Sequence, residues 1–388
     1  MARGISIGVS ARADEREAAA EAVARALRGL AQPGFALVFS TEPYQGARLA
    51  AALCAELGPV PWAGCCMAGV FAGNRLLSQG LVVGVFEGFR VGVGVAPATS
   101  KDGRAAGALA ATRALEGFPP LPAGVSRALV LLSDALAGNV ADVLRGALAV
   151  AGSGVIWAGG GSGHALSVGS SAQFAGGRAS TDSVVVVALD SPGGMASGIC
   201  HGFAPYGPAT IVTRAEGTVA CEFEYETAFA VYQRTAHAHG DEVTREGFAA
   251  FAVTHPLGVP RADGAHVIRD PVGVDAAGAL RCFAEVPDGS LIRMMQGDRP
   301  GLLAAARTAT RTARAAVAGP LAGALVFDCV SRSVMLGESF GEELGIFTSE
   351  LGDAVPVIGC LTYGEVGAMG SGVPQFHNKT SVVLALGA

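Results

Sequence analysis

Apolar runs of strand length recur along the chain in a fixed order. The tripeptide Ala-Leu-Val stands at 36–38, 128–130 and 324–326, inside GFALVF, RALVLL and GALVFD. A helix-like stretch follows each copy. A second apolar run ending in glycine comes next: VPWAG, VIWAG and VPVIG, ending at Gly64, Gly159 and Gly359. Then come a glycine-rich loop and a third strand, GLVVGVF, SVVVVAL or SVVLALG. Ahead of each Ala-Leu-Val strand the pattern predicts another strand and helix. ISIGVS leads into a helix over 14–30, VGVGVA into 103–116, and LIRMMQGD into 302–317. Asp14 and Glu17 have capping-box spacing, and Ala19, Val23, Ala26, Leu27 and Leu30 form one apolar face.

The unit therefore reads β-α-β-α-β-loop-β, at 4–87, 91–190 and 291–387. Self-similarity at this scale marks a repeat architecture. Runs such as SVVVVAL are apolar on both faces, as a sheet covered on both sides requires. Alternation of strand and helix predicts an α/β fold with largely parallel or mixed sheets. Residues 191–290 break the pattern. Their aromatic and β-branched content predicts hairpins, with a short helix near 245–251. This β-rich segment is expected to link or cap the repeats. The expected division is 1–220, holding repeats 1 and 2, and 221–388, holding the connecting segment and repeat 3.

Composition narrows the function classes. Of 388 residues, 51% are hydrophobic and 15% charged, enough for a large core and too apolar for general disorder. The net charge of -6 gives no basic surplus for phosphates, so no nucleic-acid partner is expected. Arg307, Arg311 and Arg314 share a helical face, which reads as a solvated face. No apolar run reaches the roughly 20 residues of a spanning helix, because Asp134, Asp142 and Arg145 interrupt the longest. The opening MARGISIGVSARADERE lacks the apolar core of a signal peptide. The expectation is a cytoplasmic protein with no membrane contact. Its eight cysteines have no Cys-x-x-Cys pair and read as free thiols, with no metal site expected.

The C-terminal third resembles the FIST C-terminal domain. The resemblance rests on Cys329-Val-Ser-Arg332, Val355-Pro-Val-Ile-Gly359, Tyr363-Gly364-Glu365 and His377-Asn378-Lys-Thr380. The first half resembles the FIST N-terminal domain through its Ala-Leu-Val-Phe strand, Trp-Ala-Gly-Cys-Cys, and Ser133-Asp134 through Gly138-Asn139. One departure is Val70, which follows Gly69 where that domain often carries an acid. The resemblance implies an intracellular sensor of small ligands such as amino acids, in signal transduction. Some relatives bind haem and sense nitric oxide, so haem is the alternative cofactor to none. The chain leaves no stretch for an attached kinase or cyclase, so a separate signalling protein of that kind is the expected partner.

Ligands in open α/β sheets favour the carboxyl ends of strands. Ser40, Thr41 and Glu42, then Ser133 and Asp134, then Cys329 and Arg332 fall there, with Cys65, Cys66 and residues 160–164 and 360–365 at the second strands. Arg332 is the most telling, because guanidinium binds carboxylate bidentately. Its expected partner is Glu365 or the carboxylate of an amino acid. The expected ligand pocket holds Arg332, Tyr363, Glu365, His377 and Asn378, with Cys329 beside them. Glycines 159–161 and 163 read as a tight turn before a phosphate cradle. Gly337-Glu-Ser339-Phe-Gly341 matches G-x-S-x-G, and Asp353 and His377 follow in hydrolase order. Against that hydrolase reading, too little chain separates Ser339 from Asp353 for an intervening strand. Cys329 or Cys360 could pair with His377 as a nucleophile, but cysteines in apolar strands are more often small core residues. His237 and His239 read as exposed.

Overall fold

The computed structural model describes residues 3–164, 171–370 and 372–388. Repeat 1 comprises β1 (Gly4–Ser10), α1 (Glu15–Ala26), β2 (Pro33–Ser40), α2 (Ala47–Leu57), β3 (Trp62–Cys66), a hairpin of β4 (Gly69–Ala72) and β5 (Arg75–Leu77), and β6 (Leu81–Glu87). Repeat 2 has the same order: β7 (Arg90–Pro97), α3 (Gly103–Ala114), β8 (Ser126–Asp134), α4 (Val140–Ala151), β9 (Ile156–Ser162), β10 (Gln173–Ala175), β11 (Arg178–Ser180) and β12 (Ser183–Ser191). Asp14 caps α1 as its spacing predicts, accepting from the N–H groups of Arg16 and Glu17.

Repeat 3 opens earlier than the sequence suggests. Its first strand is β13 (Met195–Cys200). An insertion follows, made of β14 (Phe203–Glu216), β15 (Val219–Phe223), β16 (Glu226–Thr227), α5 (Ala228–Ala238), α6 (Phe248–Thr254), β17 (Leu257–Pro260), β18 (His266–Arg269), β19 (Pro271–Val274), β20 (Leu280–Cys282) and β21 (Leu291–Gly297). The repeat then resumes with α7 (Arg299–Ala315), β22 (Leu321–Cys329), α8 (Val330–Leu336), α9 (Phe340–Leu351), β23 (Val357–Thr362), a hairpin of β24 (Glu365–Gly367) and β25 (Gln375–His377), and β26 (Ser381–Gly387).

LIRMMQG is therefore not the first strand of repeat 3. It is β21, which pairs with β14 and β17 in the insertion's own sheet. β13 takes its place by pairing with β26. The packing agrees. A Cβ on Gly8, Gly94 or Gly198 would lie within 2.0 Å of the carbonyl oxygen of Ala22, Ala110 or Ala309 respectively. Each first strand thus seats a glycine against the first helix of its own repeat. Within the region expected to form hairpins, the segment AFAVYQRTAHA is helix α5. It buries Ala228, Phe229, Val231, Tyr232 and Ala236, a helical spacing that outweighs the β preference of its side chains.

The three sheets have matching orders: β1-β6-β2-β3-β10-β11, β7-β12-β8-β9-β24-β25 and β13-β26-β22-β23-β4-β5. The registers match as well. Ala36 stands between Trp62 and Val85, Ala128 between Ile156 and Leu189, and Ala324 between Val357 and Ala385. In each sheet only the two strands joined through the second helical connection run parallel; the other pairings are antiparallel, so the sheets are mixed rather than largely parallel. Every hairpin leaves its own repeat. The repeat 1 hairpin completes sheet 3, that of repeat 2 completes sheet 1, and that of repeat 3 completes sheet 2.

The inner faces share one core, where Phe39 of β2 meets Phe327 of β22 edge to face at 6.0 Å. The outer faces lie under α1 and α2, α3 and α4, and α7 and α9. Apolar residues on both strand faces follow from this arrangement. The glycines at 159–161 are not a tight turn: they lie within β9. Gly161 exchanges backbone hydrogen bonds with Tyr363 and Gly364 of the visiting hairpin. A Cβ on Gly163 would strike the Tyr363 ring at 2.3 Å. These glycines let the repeat 3 hairpin lie flush on repeat 2.

Candidate functional site

Two buried charged groups sit at the end of β22, back to back. The first surrounds Arg332, which is wholly buried. Its expected pairing with Glu365 does not occur. Arg332 is the second residue of α8's first turn after Val330, and it reaches outward under α7 and α9. Nε donates to Glu343 Oε1 at 2.9 Å and lies 3.2 Å from Asp328 Oδ1, four residues back in β22. Nη2 donates to the Leu302 carbonyl at 2.9 Å and also to Glu343. Nη1 donates to the carbonyls of His201 at 2.9 Å and Lys379 at 3.4 Å. Ser381 Oγ donates to Asp328 at 2.6 Å. Burial, and then the Glu343 charge, hold the Asp328 carboxyl well above the usual range. Arg332 thus ties β13, α7, α9 and the chain at Lys379 together, and it faces no cleft.

The second group lies on the other side of that chain, where the insertion meets repeat 3. A cleft of about 210 Å³ opens there. Ala249 and Val253 of α6, Pro271 and Val272 of β19, and Phe283 form one wall. Val330 and Val334 of α8 form the other. Val272, Phe283 and Val334 are 39%, 42% and 49% exposed, so the mouth is apolar. At the floor stand Asp270, Cys329, Asn378 and Lys379, all buried, with Ser331 beside them. Tyr363 closes one end, packing on Phe283 at 5.8 Å and donating its hydroxyl hydrogen to the His164 carbonyl.

Lys379 is fully buried, and its backbone is in the left-handed region at φ 59°. Its Nζ lies 3.0 Å from Asp270 Oδ1, the one acceptor beside it among the described residues. Asn378 accepts from the Asp270 N–H at 3.3 Å. Burial raises the Asp270 carboxyl, and Lys379 only partly offsets it. Behind the floor, Glu365 accepts from Thr362 Oγ1 at 2.6 Å, and from Thr380 Oγ1 and N–H at 2.7 and 3.0 Å. Burial nevertheless lifts it to about 7. Burial, followed by the Glu365 charge, also pushes the Cys329 thiol up, and its Sγ lies 3.2 Å from Ser331 Oγ.

Of the expected pocket residues, Cys329, Tyr363 and Asn378 line the cleft. Arg332, Glu365 and His377 do not. His377 is buried behind it; Nε2 lies 3.1 Å from the Gly367 carbonyl, and burial lowers the ring to about 3. Ser339, Asp353 and His377 do not assemble a triad. Ser339 sits at the start of α9 and Asp353 is exposed, with no hydrogen bond joining either to His377 among the described residues. The floor residues not foreseen are Asp270, Ser331 and Lys379. Lys379 carried a signal: with Lys101 it is one of two lysines among 27 basic residues. The insertion residues carried none, because the fold alone brings them to repeat 3. Among the described residues no His, Cys, Asp and Glu cluster could hold a metal ion. All eight cysteines are free.

This is a three-repeat α/β protein whose last repeat and insertion enclose a small cleft. The sequence matches the FIST N domain over residues 34–226 and the FIST C domain over 228–368, and the chain belongs to the FIST family. FIST domains are associated with small-ligand sensing in signal transduction. No curated protein matches the chain in sequence. Solved structures with similarity include one described as "Cyanuric acid hydrolase: evolutionary innovation by structural concatenation", at 12% identity, TM-score 0.32 and full coverage of both chains. Another is cyanuric acid hydrolase from A. caulinodans, at 11% identity and TM-score 0.37, covering 99% of this chain and 100% of that one. Likeness at that level carries no argument about activity. Among the described residues no helix is long and apolar enough to cross a membrane.

Proposed function

We propose that the cleft between the insertion and repeat 3 is the ligand site of a small-molecule sensor. The observation that carries this reading is the floor. Lys379 is a buried side chain with three donors and, among the described residues, one acceptor beside it. A buried donor left so under-used costs stability unless something else fills it. An apolar amino acid fits the arrangement. Its carboxylate would meet Lys379, its ammonium Asp270, and its side chain the walls formed by Val253, Val272 and Val334. A few convergent polar groups under apolar walls are what orient a small ligand. Output to a separate signalling protein, such as a kinase or cyclase, completes the reading.

Haem fits this cleft poorly. Only Cys329 and Tyr363 among its lining residues are of a type that ligates haem iron. Burial disfavours the Cys329 thiolate, and the Tyr363 hydroxyl is already bonded to the His164 carbonyl.

Thermal melting against a panel of amino acids tests the reading. A ligand at 100 times its Kd should add about 2.7 kcal/mol to stability. Val334→Trp, which fills the mouth, should abolish the gain. A panel that leaves the wild type unmoved, or a gain that survives Val334→Trp, contradicts the proposal.

A further inference from the structure

The choice of lysine at position 379 is itself informative. Elsewhere the chain places arginine at 25 of its 27 basic positions. Arginine would pair with Asp270 through two parallel bonds and would be the better static partner. What lysine offers and arginine lacks is an amine that can shed its proton and act as a nucleophile. The surroundings suit that chemistry. Asp270 Oδ1 stands 3.0 Å from Nζ, placed to take the proton. Burial raises the Asp270 carboxyl. The Lys379 backbone is held in a left-handed conformation, with its carbonyl accepting from Arg332. Strained, over-determined backbone of this kind collects at functional sites.

We propose that Lys379 captures a small apolar aldehyde or ketone in this cleft as an imine. The inference rests on the cleft being the ligand site and assigns it a second class of ligand, a carbonyl compound held covalently. Lys379 gives a proton to Asp270, and the free amine attacks the carbonyl carbon. The C–N bond forms as the C=O π bond opens, and the oxygen takes up the proton released by the nitrogen, giving a carbinolamine. Asp270 then protonates the departing hydroxyl, which leaves as water while the nitrogen lone pair forms C=N. The product is a protonated imine beside an ionised Asp270, so the ion pair is restored. The apolar walls favour an alkyl group on the captured carbonyl carbon.

The test uses the full chain with isobutyraldehyde and sodium cyanoborohydride, which fixes an imine as a secondary amine. Peptide mass spectrometry then locates the adduct, with Lys101 and the N-terminal amine as internal references. Modification should be on the order of ten-fold faster at Lys379 than at Lys101, as positioning beside Asp270 favours it. It should vanish in Val334→Trp, which keeps the lysine but fills the cleft, and in Lys379→Arg. Equal labelling of Lys101 and Lys379, or labelling confined to Lys101 and the terminus, overturns the inference. If amino acids still stabilise the wild type but not Val334→Trp, the sensor reading stands and only covalent capture falls. If neither stabilisation nor a Lys379 adduct occurs, both fall.

Discussion

Arg332 and Lys379 are both fully buried cations of repeat 3, 47 residues apart in sequence and joined by one hydrogen bond. Their surroundings differ in kind. Every nitrogen of Arg332 is engaged, by Glu343, by Asp328 and by three carbonyls from separate elements. Among the described residues Lys379 has a single carboxylate beside it, and it lines the cleft. A buried charge whose donors are all used holds the fold together. A buried charge with donors to spare is held ready for something else. The more conspicuous cation by sequence, the arginine near a glutamate-bearing loop, is the structural one.

The largest effect expected from this contrast is on Arg332. Arg332→Ala strands Asp328 and Glu343, so urea unfolding should show a loss of about 3–5 kcal/mol. Arg332→Lys, which keeps the charge and loses the fork, should recover only part of it. A loss under about 1 kcal/mol would move Arg332 out of the scaffold.

Glu365 comes next. Its folded value of about 7 stands above the ordinary 4.5. The folded state therefore binds the proton more tightly. That stability is fully present below pH 4.5 and is lost as pH rises through 7. Glu365→Gln has no charge to bury. Its stability relative to wild type should improve across that window, by roughly 3 kcal/mol at most. Denaturant unfolding of both proteins at pH 4.5 and pH 8 reads the difference, since groups common to both cancel. A pH-independent difference would contradict the assignment.

A third comparison replaces the ion pair outright. Lys379→Met with Asp270→Asn removes both charges and leaves no stranded partner. Apo stability should stay within about 1 kcal/mol of wild type, while stabilisation by cleft ligands disappears. The reverse pattern, an unstable protein that still binds, would exchange the roles of the two cations. The smallest effect belongs to Ser339→Ala. The side chain is half-exposed and makes no capping bond, so stability should move by no more than about 0.5 kcal/mol and ligand response not at all. Loss of an esterase activity in that variant would revive the hydrolase reading.

Much of the fold was legible. The Ala-Leu-Val strands are apolar on both faces because helices cover one side and a shared core the other, so their runs stand out. β13 was not legible, because the insertion from β14 to β21 separates it from the helix it packs against, and β21 imitates it just upstream of α7. In hindsight Gly198 in MASGIC repeats the glycine of ISIGVS and VGVGVA, and that contact with the first helix identifies the strand. The exchange of hairpins was also hidden. Strands of three or four residues, such as Glu365–Gly367, carry too little pattern to name a partner sheet. At the site, Cys329, Tyr363 and Asn378 could be picked out because they end strands of repeat 3. Glu343 was missed as the partner of Arg332 because α9 brings it over the outer face. Asp270 was missed because only the folded insertion delivers it to Lys379.

With only two lysines in the chain, selective labelling of the lysine Nζ with ¹⁵N yields one signal for Lys379 and one for Lys101. The measurement is a titration of that sample with whichever ligand stabilises the protein. The Lys379 signal should move to saturation while Lys101 stays fixed. A Lys379 signal that does not move when the ligand is saturating would contradict the assignment of the cleft as the sensing site.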